Sequence, residues 1–194
     1  MAEAGRGSGA SLEAVARACE AARAQLILVP DTSVLLKNPD FSKWDAGMRT
    51  LIVISTIVVG ELDNHKKQYD KRPDQAEAAG SVLAALASVA DKHVLADGGP
   101  LTPELWVATT QFAEWMTPPG LNPKNPDHQI ASVAAAVSLQ FRGVPCLLLT
   151  NDNAQAVAAS AAGIDHFRRP HPFVEGTIAD FREAISRIVL PATD

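Results

Sequence analysis

Four acidic residues stand close to the ends of apolar runs or to the starts of expected helices. They are Asp31, Glu61, Asp127 and Asp152. Asp31 and Asp152 each follow a short aliphatic run that predicts a buried strand, while Glu61 and Asp127 each lie near the first turn of an expected helix. Sites in open parallel sheets are built in the crevice beyond the carboxyl ends of the strands. We therefore expect the four carboxylates to converge on one crevice.

Ionised carboxylates that share a crevice repel each other and raise each other's pKa values. A hard divalent cation removes this conflict, because Mg²⁺ and Mn²⁺ prefer oxygen ligands. Such a cation can bind a substrate phosphate and can lower the pKa of a water molecule that it holds. The two cysteines, Cys19 and Cys146, form no spacing that is typical of zinc sites. The acids therefore predict a Mg²⁺ or Mn²⁺ site.

Each acid also has a plainer interpretation that does not involve a metal. Asp31 can end a strand in a turn, and Asp152, in the turn-forming sequence NDN, can cap a helix. Asp127 can be a first-turn acid that the helix dipole favours, and Glu61 can be a solvated helix residue. Any one of the four is weak evidence for a site, so the prediction depends on their joint placement.

Strands and helices alternate in the segments that must position these acids. The expected strands are Leu26–Val29, Thr50–Val59 and Val144–Thr150, with further strand candidates in HVLADGGPL (93–101) and ELWVATTQF (104–112). The expected helices begin near Ser11, near Ser55 or Thr56, at Asp74, at Pro126 and after Asp152, and a last one follows Thr177. Continuous aliphatic strands with helices between them predict an α/β fold with a mainly parallel sheet that is covered on both faces.

Length and composition favour one domain in residues 25–194, preceded by a tail and a short helix in residues 1–24. The chain has 194 residues and a net charge of −5, which argues against a broad basic surface for nucleic acid. This charge still allows a nuclease that holds its substrate through a metal ion and a few local cations.

With no membrane-length apolar run, no signal-peptide pattern and two cysteines without an evident pairing, we expect a cytoplasmic protein.

Four motifs resemble, in their order along the chain, those of the PIN-domain family of metal-dependent nucleases. They are VPDTSVLLKNPD, IVISTIVVGELDNHKK, LNPKNPDHQIASVAAAV and CLLLTNDNAQAVAA. The resemblance spans Leu26 to about Phe167, and the forms ELDNHKK and NPD are similar to a bacterial subgroup of PIN domains that occur alone or joined to PhoH-type ATPases. Ser33 departs from the family, because many members have Asn there, and residues 93–124 have no counterpart that we can assign.

The resemblance implies a three-layer α/β/α sandwich with a mainly parallel sheet of about five strands. It implies that the catalytic metal ligands are the same four acids, with Asp31 and Asp152 in the central role, and that the hydroxyls of Ser33 and Thr150 orient carboxylates or water. The implied reaction is the cleavage of single-stranded RNA, in which a metal-activated water attacks the phosphate in line. The products would carry a 5′-phosphate and a 3′-hydroxyl, and we predict endonucleolytic cleavage.

Positively charged side chains in the first motif and at or shortly after the end of the second are candidates for contact with RNA phosphates. They are Lys37, Lys66, Lys67 and Arg72. A solvated helix face with pairs four residues apart is an equally good interpretation of this cluster. Asp63 and His128 are expected to point away from the site, and Asp165 is expected to be a strand-edge residue and not an additional ligand.

Two other functions stay open at this point. One is a catalytically weak PIN-like module that binds RNA or protein, and the other is the VapC-type toxin of a toxin–antitoxin pair, which would have an antitoxin as its protein partner. A homodimer is also an option, because the expected C-terminal helix IADFREAISRIVL has an apolar face. No membrane partner is expected.

Overall fold

The structure, a computed structural model, describes residues 10–44, 46–90, 98–168 and Ile185. Its strands are β1 (Leu26–Pro30), β2 (Thr50–Ser55), β3 (Gly99–Pro100), β4 (Leu105–Thr110), β5 (Cys146–Thr150) and β6 (His166–Arg168). They form one sheet in the order β3-β4-β2-β1-β5-β6, in which only β3 pairs in the antiparallel direction. The predicted α/β fold with about five mainly parallel strands is confirmed, and the sixth strand is a two-residue addition at one edge.

The central strands β2, β1 and β5 consist of continuous aliphatic sequence. Every residue of LILVP, TLIVIS and CLLLT is buried, as expected for parallel strands that are covered by helices on both faces. β1 lies between the other two, with Leu26 opposite Thr50 and Ile27 opposite Cys146. Because the three strands are parallel, the chain leaves all of them at the same edge of the sheet, and the sequences with the candidate acids follow there.

Six α-helices lie in the described ranges, and none of them is long and apolar enough to cross a membrane. They are α1 (Ala10–Ala22), α2 (Thr32–Lys37), α3 (Thr56–Lys66), α4 (Pro73–Ala90), α5 (Pro126–Gln140) and α6 (Asn153–Ala161). α1 packs on β2 and β4, and its residues Val15 and Ala18 are fully buried in the common hydrophobic core. The α6 segment is followed by Gly163 at φ +68°, in the left-handed conformation that glycine adopts at helix ends.

Two elements differ from the sequence-based prediction. β2 ends at Ser55 instead of Val59, because the Ser55 hydroxyl accepts a hydrogen bond from the N–H of Ile57 at 3.2 Å and caps α3. The short helix α2 was not predicted, and the Asp31 carboxylate caps it. The expected last helix lies outside the described residues except for Ile185, which is helical and buried. Residues 91–97 also lie outside them.

Candidate active site

The four predicted acids line one open cleft of about 480 Å³ at the carboxyl edge of the sheet. Asp31 directly follows β1, and Asp152 comes two residues after β5. Glu61 lies in α3, which follows β2, and Asp127 lies in the first turn of α5. The structure therefore brings together side chains that are up to 121 positions apart in the chain, between residues 31 and 152. Their role as metal ligands stays a prediction.

Asp31 is the most enclosed of the four acids, with only 4 % of its surface exposed. One carboxylate oxygen accepts hydrogen bonds from the N–H of Val34 at 2.8 Å and from the Ser33 hydroxyl at 2.7 Å, and the other accepts one from the Thr150 hydroxyl. Burial raises the pKa of Asp31 above its ordinary value, the three hydrogen bonds oppose this effect, and the charge of Asp152 adds to it. The pKa stays raised because desolvation outweighs the hydrogen bonds.

Two hydroxyls connect Asp31 to the turn between β5 and α6. The Thr150 hydroxyl, which donates to Asp31, accepts a hydrogen bond from the N–H of Asp152 at 2.8 Å. The Ser33 hydroxyl, which also donates to Asp31, accepts one from the N–H of Asn151 at 3.1 Å. These contacts are what an orienting role of Ser33 and Thr150 requires, and that role itself stays a prediction.

Glu61 is half-buried on α3, and one of its carboxylate oxygens accepts a hydrogen bond from the hydroxyl of Thr32. Thr32 itself is buried and directly follows Asp31. The residue was not predicted as part of the site, although its place next to Asp31 in PDTS was a usable signal. Thr32 therefore connects the segment after β1 to α3, the helix after β2. Thr150 connects the same segment after β1 to the end of β5.

Asp127 is the second residue of α5, close to the residue that caps this helix. The side chain of Asn125 accepts a hydrogen bond from the N–H of Asp127 at 2.9 Å, and Pro126 occupies the first helical position. Burial is the main cause that raises the pKa of Asp127, the charge of Asp152 raises it further, and His128 lowers it. The Nδ1 atom of His128 accepts a hydrogen bond from the N–H of Asn122 at 2.8 Å, so this ring is held against the preceding loop.

A buried glutamine joins the segments of Asp127 and Asp152. Gln155 on α6 is 1 % exposed, and its side-chain N–H donates to the backbone carbonyl of Asp127 at 2.9 Å. Asp152 caps the same helix, since its carboxylate accepts a hydrogen bond from the N–H of Ala154 at 2.6 Å. The starts of α5 and α6 are thus tied together, which fixes two of the acids relative to each other. Gln155 was not identified from the sequence.

The charges of the acids are not balanced by ion pairs within the described residues. The ion pairs there join Lys43 to Asp40 and Lys67 to Asp63, and both lie outside the four acids. Within the same residues, no group of three or more Asp, Glu, His or Cys side chains is close enough to hold a metal ion as it stands. The donors nevertheless fit Mg²⁺ or Mn²⁺, because Mg²⁺ commonly binds one or two carboxylates directly and keeps several waters.

The predicted cations divide into two groups. Lys37 and Arg72 line the cleft together with the acids, whereas Lys66 and Lys67 are exposed outside its lining. Lys67 lies 2.5 Å from the carboxylate of Asp63 in a pair four residues apart on the helix. This pair agrees with the prediction that Asp63 points away from the site. Contact of the four cations with RNA stays a prediction.

Other candidate residues lie away from the cleft lining. Asp165 is exposed just before β6, and its charge acts on Cys146 at the start of β5, so it stands at the amino end of the strands. Burial raises the pKa of the Cys146 thiol to about 12.

Four further polar residues line the cleft, and three of them, the carboxamides, were not predicted. They are Asn64, His65, Gln68 and Gln75. The first three lie three, four and seven positions after Glu61, which places them on the Glu61 face of α3 and of the turn that follows it. That spacing was the available signal, but carboxamides and single histidines form no distinctive motif.

Comparison with known proteins identifies the family. The model of the PIN domain matches residues 28–168, which include all four acids. No curated protein matches the chain. Among solved structures, the chain is similar to a domain of a functionally unknown protein from Methanocaldococcus jannaschii, with 18% identity over 74% of this chain and 91% of that chain and a TM-score of 0.44. The chain therefore belongs to the PIN-domain family, whose function is in general of the nuclease type.

Proposed function

We propose that the protein is a divalent-metal-dependent ribonuclease that hydrolyses phosphodiester bonds in single-stranded RNA. One observation carries this proposal above all others. Four carboxylates from four separate segments line one cleft at the carboxyl edge of the sheet, and the described ion pairs do not neutralise them. Such an arrangement is unfavourable for the protein alone and favourable for a protein that binds a hard cation.

The proposed ion is Mg²⁺ or Mn²⁺, held mainly by Asp31 and Asp152 with support from Glu61 and Asp127. When it is bound, the ion supplies a water of lowered pKa and positive charge for the phosphate. The chain's own residues keep the ligands in place. Thr150 and Thr32 donate hydrogen bonds to the carboxylates of Asp31 and Glu61, respectively, so that each acid reaches the cleft with a defined orientation.

Lys37 and Arg72 would hold the phosphates of the RNA next to the acids. Both side chains line the same cleft as the carboxylates, and cations that contact phosphates position a nucleic acid without reading its sequence. In this arrangement Asp31 and Asp152 act at the scissile phosphate, while the two cations hold the neighbouring part of the chain.

The two cysteines are consistent with a cytoplasmic location. Cys19 and Cys146 are both free and buried in the described structure. Free thiols are typical of proteins in a reducing compartment, so we propose that the protein acts on RNA in the cytoplasm.

The test is the cleavage of an unstructured, end-labelled RNA by the purified wild-type protein with Mn²⁺ or Mg²⁺, and with excess EDTA. Asp31→Asn and Asp152→Asn are compared with Asp165→Asn, a matched control because Asp165 is exposed at the opposite end of the strands. We expect metal-dependent cleavage by the wild type and the control, and loss of cleavage in the other two variants.

Two results would contradict the proposal, one from this test alone and one from this test together with a measurement of Mn²⁺ binding. Equal cleavage by wild type, Asp31→Asn and Asp152→Asn would point to a contaminating nuclease. Binding of Mn²⁺ without cleavage of any RNA would instead favour the alternative of a catalytically weak binding module.

A further inference from the structure

A second group of polar side chains lines the cleft beside the acids. It comprises Asn64, His65, Gln68, Arg72 and Gln75, which we call the polar wall. These residues lie on α3, on the turn that follows it and in the first turn of α4. Three of the five are carboxamides, which donate and accept hydrogen bonds without carrying charge. The wall therefore differs in chemistry from the four carboxylates next to it.

The polar wall begins one helical turn beyond Glu61 and continues away from it. Asn64, His65 and Gln68 follow Glu61 at spacings of three, four and seven residues, which keeps them on one face. The turn after α3 holds the next residue in place, because the Gln68 carbonyl accepts hydrogen bonds from the N–H groups of Lys71 and Arg72, both at 3.0 Å. The wall is thus a continuous surface that leads out of the acid site.

Two side chains of the wall, those of Arg72 and His65, differ in their hydrogen bonding. The guanidinium of Arg72 donates to the side-chain oxygen of Gln75 at 3.4 Å, which directs the cation along the wall. The Nδ1 atom of His65 is buried and has no hydrogen-bond partner within the described residues. A buried polar atom without a partner is unfavourable for stability, and such atoms are few in folded proteins.

The charges of the cleft limit how a nucleic acid can be held there. Among the described residues, its lining contains two Lys or Arg side chains, Lys37 and Arg72, against four acids. A protein that binds RNA chiefly through phosphates needs many more Lys and Arg contacts, and its affinity then falls steeply with salt. Carboxamides can instead form paired hydrogen bonds with the edges of bases, which are accessible in single strands.

We propose that the polar wall binds the bases of single-stranded RNA next to the scissile phosphate, through hydrogen bonds with Asn64, Gln68 and Gln75. This inference rests on the proposed function and adds to it the way in which the substrate is recognised. It has two consequences that a phosphate-binding surface lacks: the affinity depends on the identity of the bases, and it depends only weakly on salt.

The test measures RNA binding without cleavage. Fluorescence anisotropy with end-labelled oligo(A), oligo(U) and oligo(C) in EDTA compares the wild type with Gln68→Ala and Gln75→Ala. We expect each substitution to weaken binding of the preferred RNA by about fivefold and to reduce the preference among the three RNAs. The logarithm of the affinity should fall with the logarithm of salt concentration with a slope of about −1.4, since two phosphate contacts contribute about −0.7 each on a single strand.

Matched controls separate the wall from the general surface. Gln140→Ala removes an exposed carboxamide at the end of α5, and Lys71→Ala removes an exposed cation next to Arg72 but outside the cleft lining. Both should bind RNA like the wild type, whereas Arg72→Ala should weaken binding. Circular dichroism melting curves confirm that each variant is folded.

The inference and the proposed function fail in different ways. A salt slope steeper than about −4, or unchanged affinity in Gln68→Ala and Gln75→Ala, overturns the inference even if the wild type cleaves RNA. Wall-dependent RNA binding by a protein that never cleaves RNA with Mn²⁺ supports the inference and overturns the proposed ribonuclease activity.

Discussion

The hydroxyl of Thr150 donates a hydrogen bond to the carboxylate of Asp31, which lies 119 positions earlier at the end of the neighbouring strand. The same hydroxyl accepts a hydrogen bond from the N–H of Asp152 at 2.8 Å. One small side chain therefore connects the two acids that we propose as the main metal ligands. Their relative position depends on the pairing of β1 with β5, which is buried and regular.

Replacing Thr150 with Val keeps the buried shape of the side chain and removes the shared hydroxyl. One oxygen of Asp31 and the N–H of Asp152 lose their partner, and the loss of supporting hydrogen bonds of this kind lowers metal affinity or activity about 10–100-fold. We expect a loss of this size in Mn²⁺-dependent RNA cleavage and a recovery of most activity in Thr150→Ser. Equal cleavage rates for wild type and Thr150→Val would show that the hydroxyl does not position the acids.

The raised pKa values of Asp31 and Asp127 predict how metal binding depends on pH. Without metal, each group contributes stability that is fully present below the ordinary carboxyl pKa of 3.8 and that is lost as the pH rises through the raised folded-state pKa. A divalent ion binds the ionised carboxylates, so we expect the increase in Tm caused by Mn²⁺ to be small near pH 4 and to grow toward about pH 7.

Thermal unfolding with Mn²⁺ and with EDTA across this pH range checks the prediction. Asp165→Asn serves as the control and should follow the wild type. An increase in Tm that is the same at every pH would mean that the ion binds elsewhere than at these carboxylates.

Asp31→Asn should stabilise the metal-free protein while it removes the activity. Asp31 is almost fully buried and its charge is disfavoured mainly by desolvation, whereas Asn has the same shape and is an equally good helix cap for α2. In urea unfolding at neutral pH with EDTA, we expect the free energy of unfolding to increase. A variant that is less stable than the wild type would contradict this account of the buried charge.

Gly98 permits the close approach of α1 to the sheet. A Cβ atom at this position would lie 2.5 Å from the Cβ of Ala18, and the φ angle of +80° disfavours other residues. We expect Gly98→Ala to lower the free energy of unfolding by about 1–3 kcal/mol. The matched control Gly80→Ala lies within α4 with open space around the added Cβ, and should raise the free energy of unfolding by about 0.5–1 kcal/mol. Similar effects of the two substitutions would contradict this packing.

The parts of the molecule that the sequence predicts are those with strong local signals. The short aliphatic runs of β1 and β5 indicate buried strands, and Asn125-Pro126 combines a cap with a favoured first residue for α5. The carboxyl-edge rule for parallel sheets then places Asp31 and Asp152 near each other before any distance is known.

Other features depend on competition between strand and helix, or between alternative partners of a side chain, and the local sequence does not show which one wins. The β-branched run continues past Ser55, yet the cap at Ser55 and the packing of α3 end the strand there. The helix α2 has six residues, too few for a periodic pattern to be visible. Lys67 is close to Glu61 in the sequence, but it forms an ion pair with Asp63 and lies outside the cleft lining.

The most direct test of the central claim is a crystal structure of the protein with Mn²⁺, in which anomalous scattering locates the ion. We predict a peak in the cleft, with an oxygen of Asp31 or Asp152 at the bonding distance of about 2.0–2.3 Å and with the hydrogen bond from Thr150 to Asp31 retained. A fully occupied Mn²⁺ site elsewhere, with none of the four acids in contact with an ion, would contradict it.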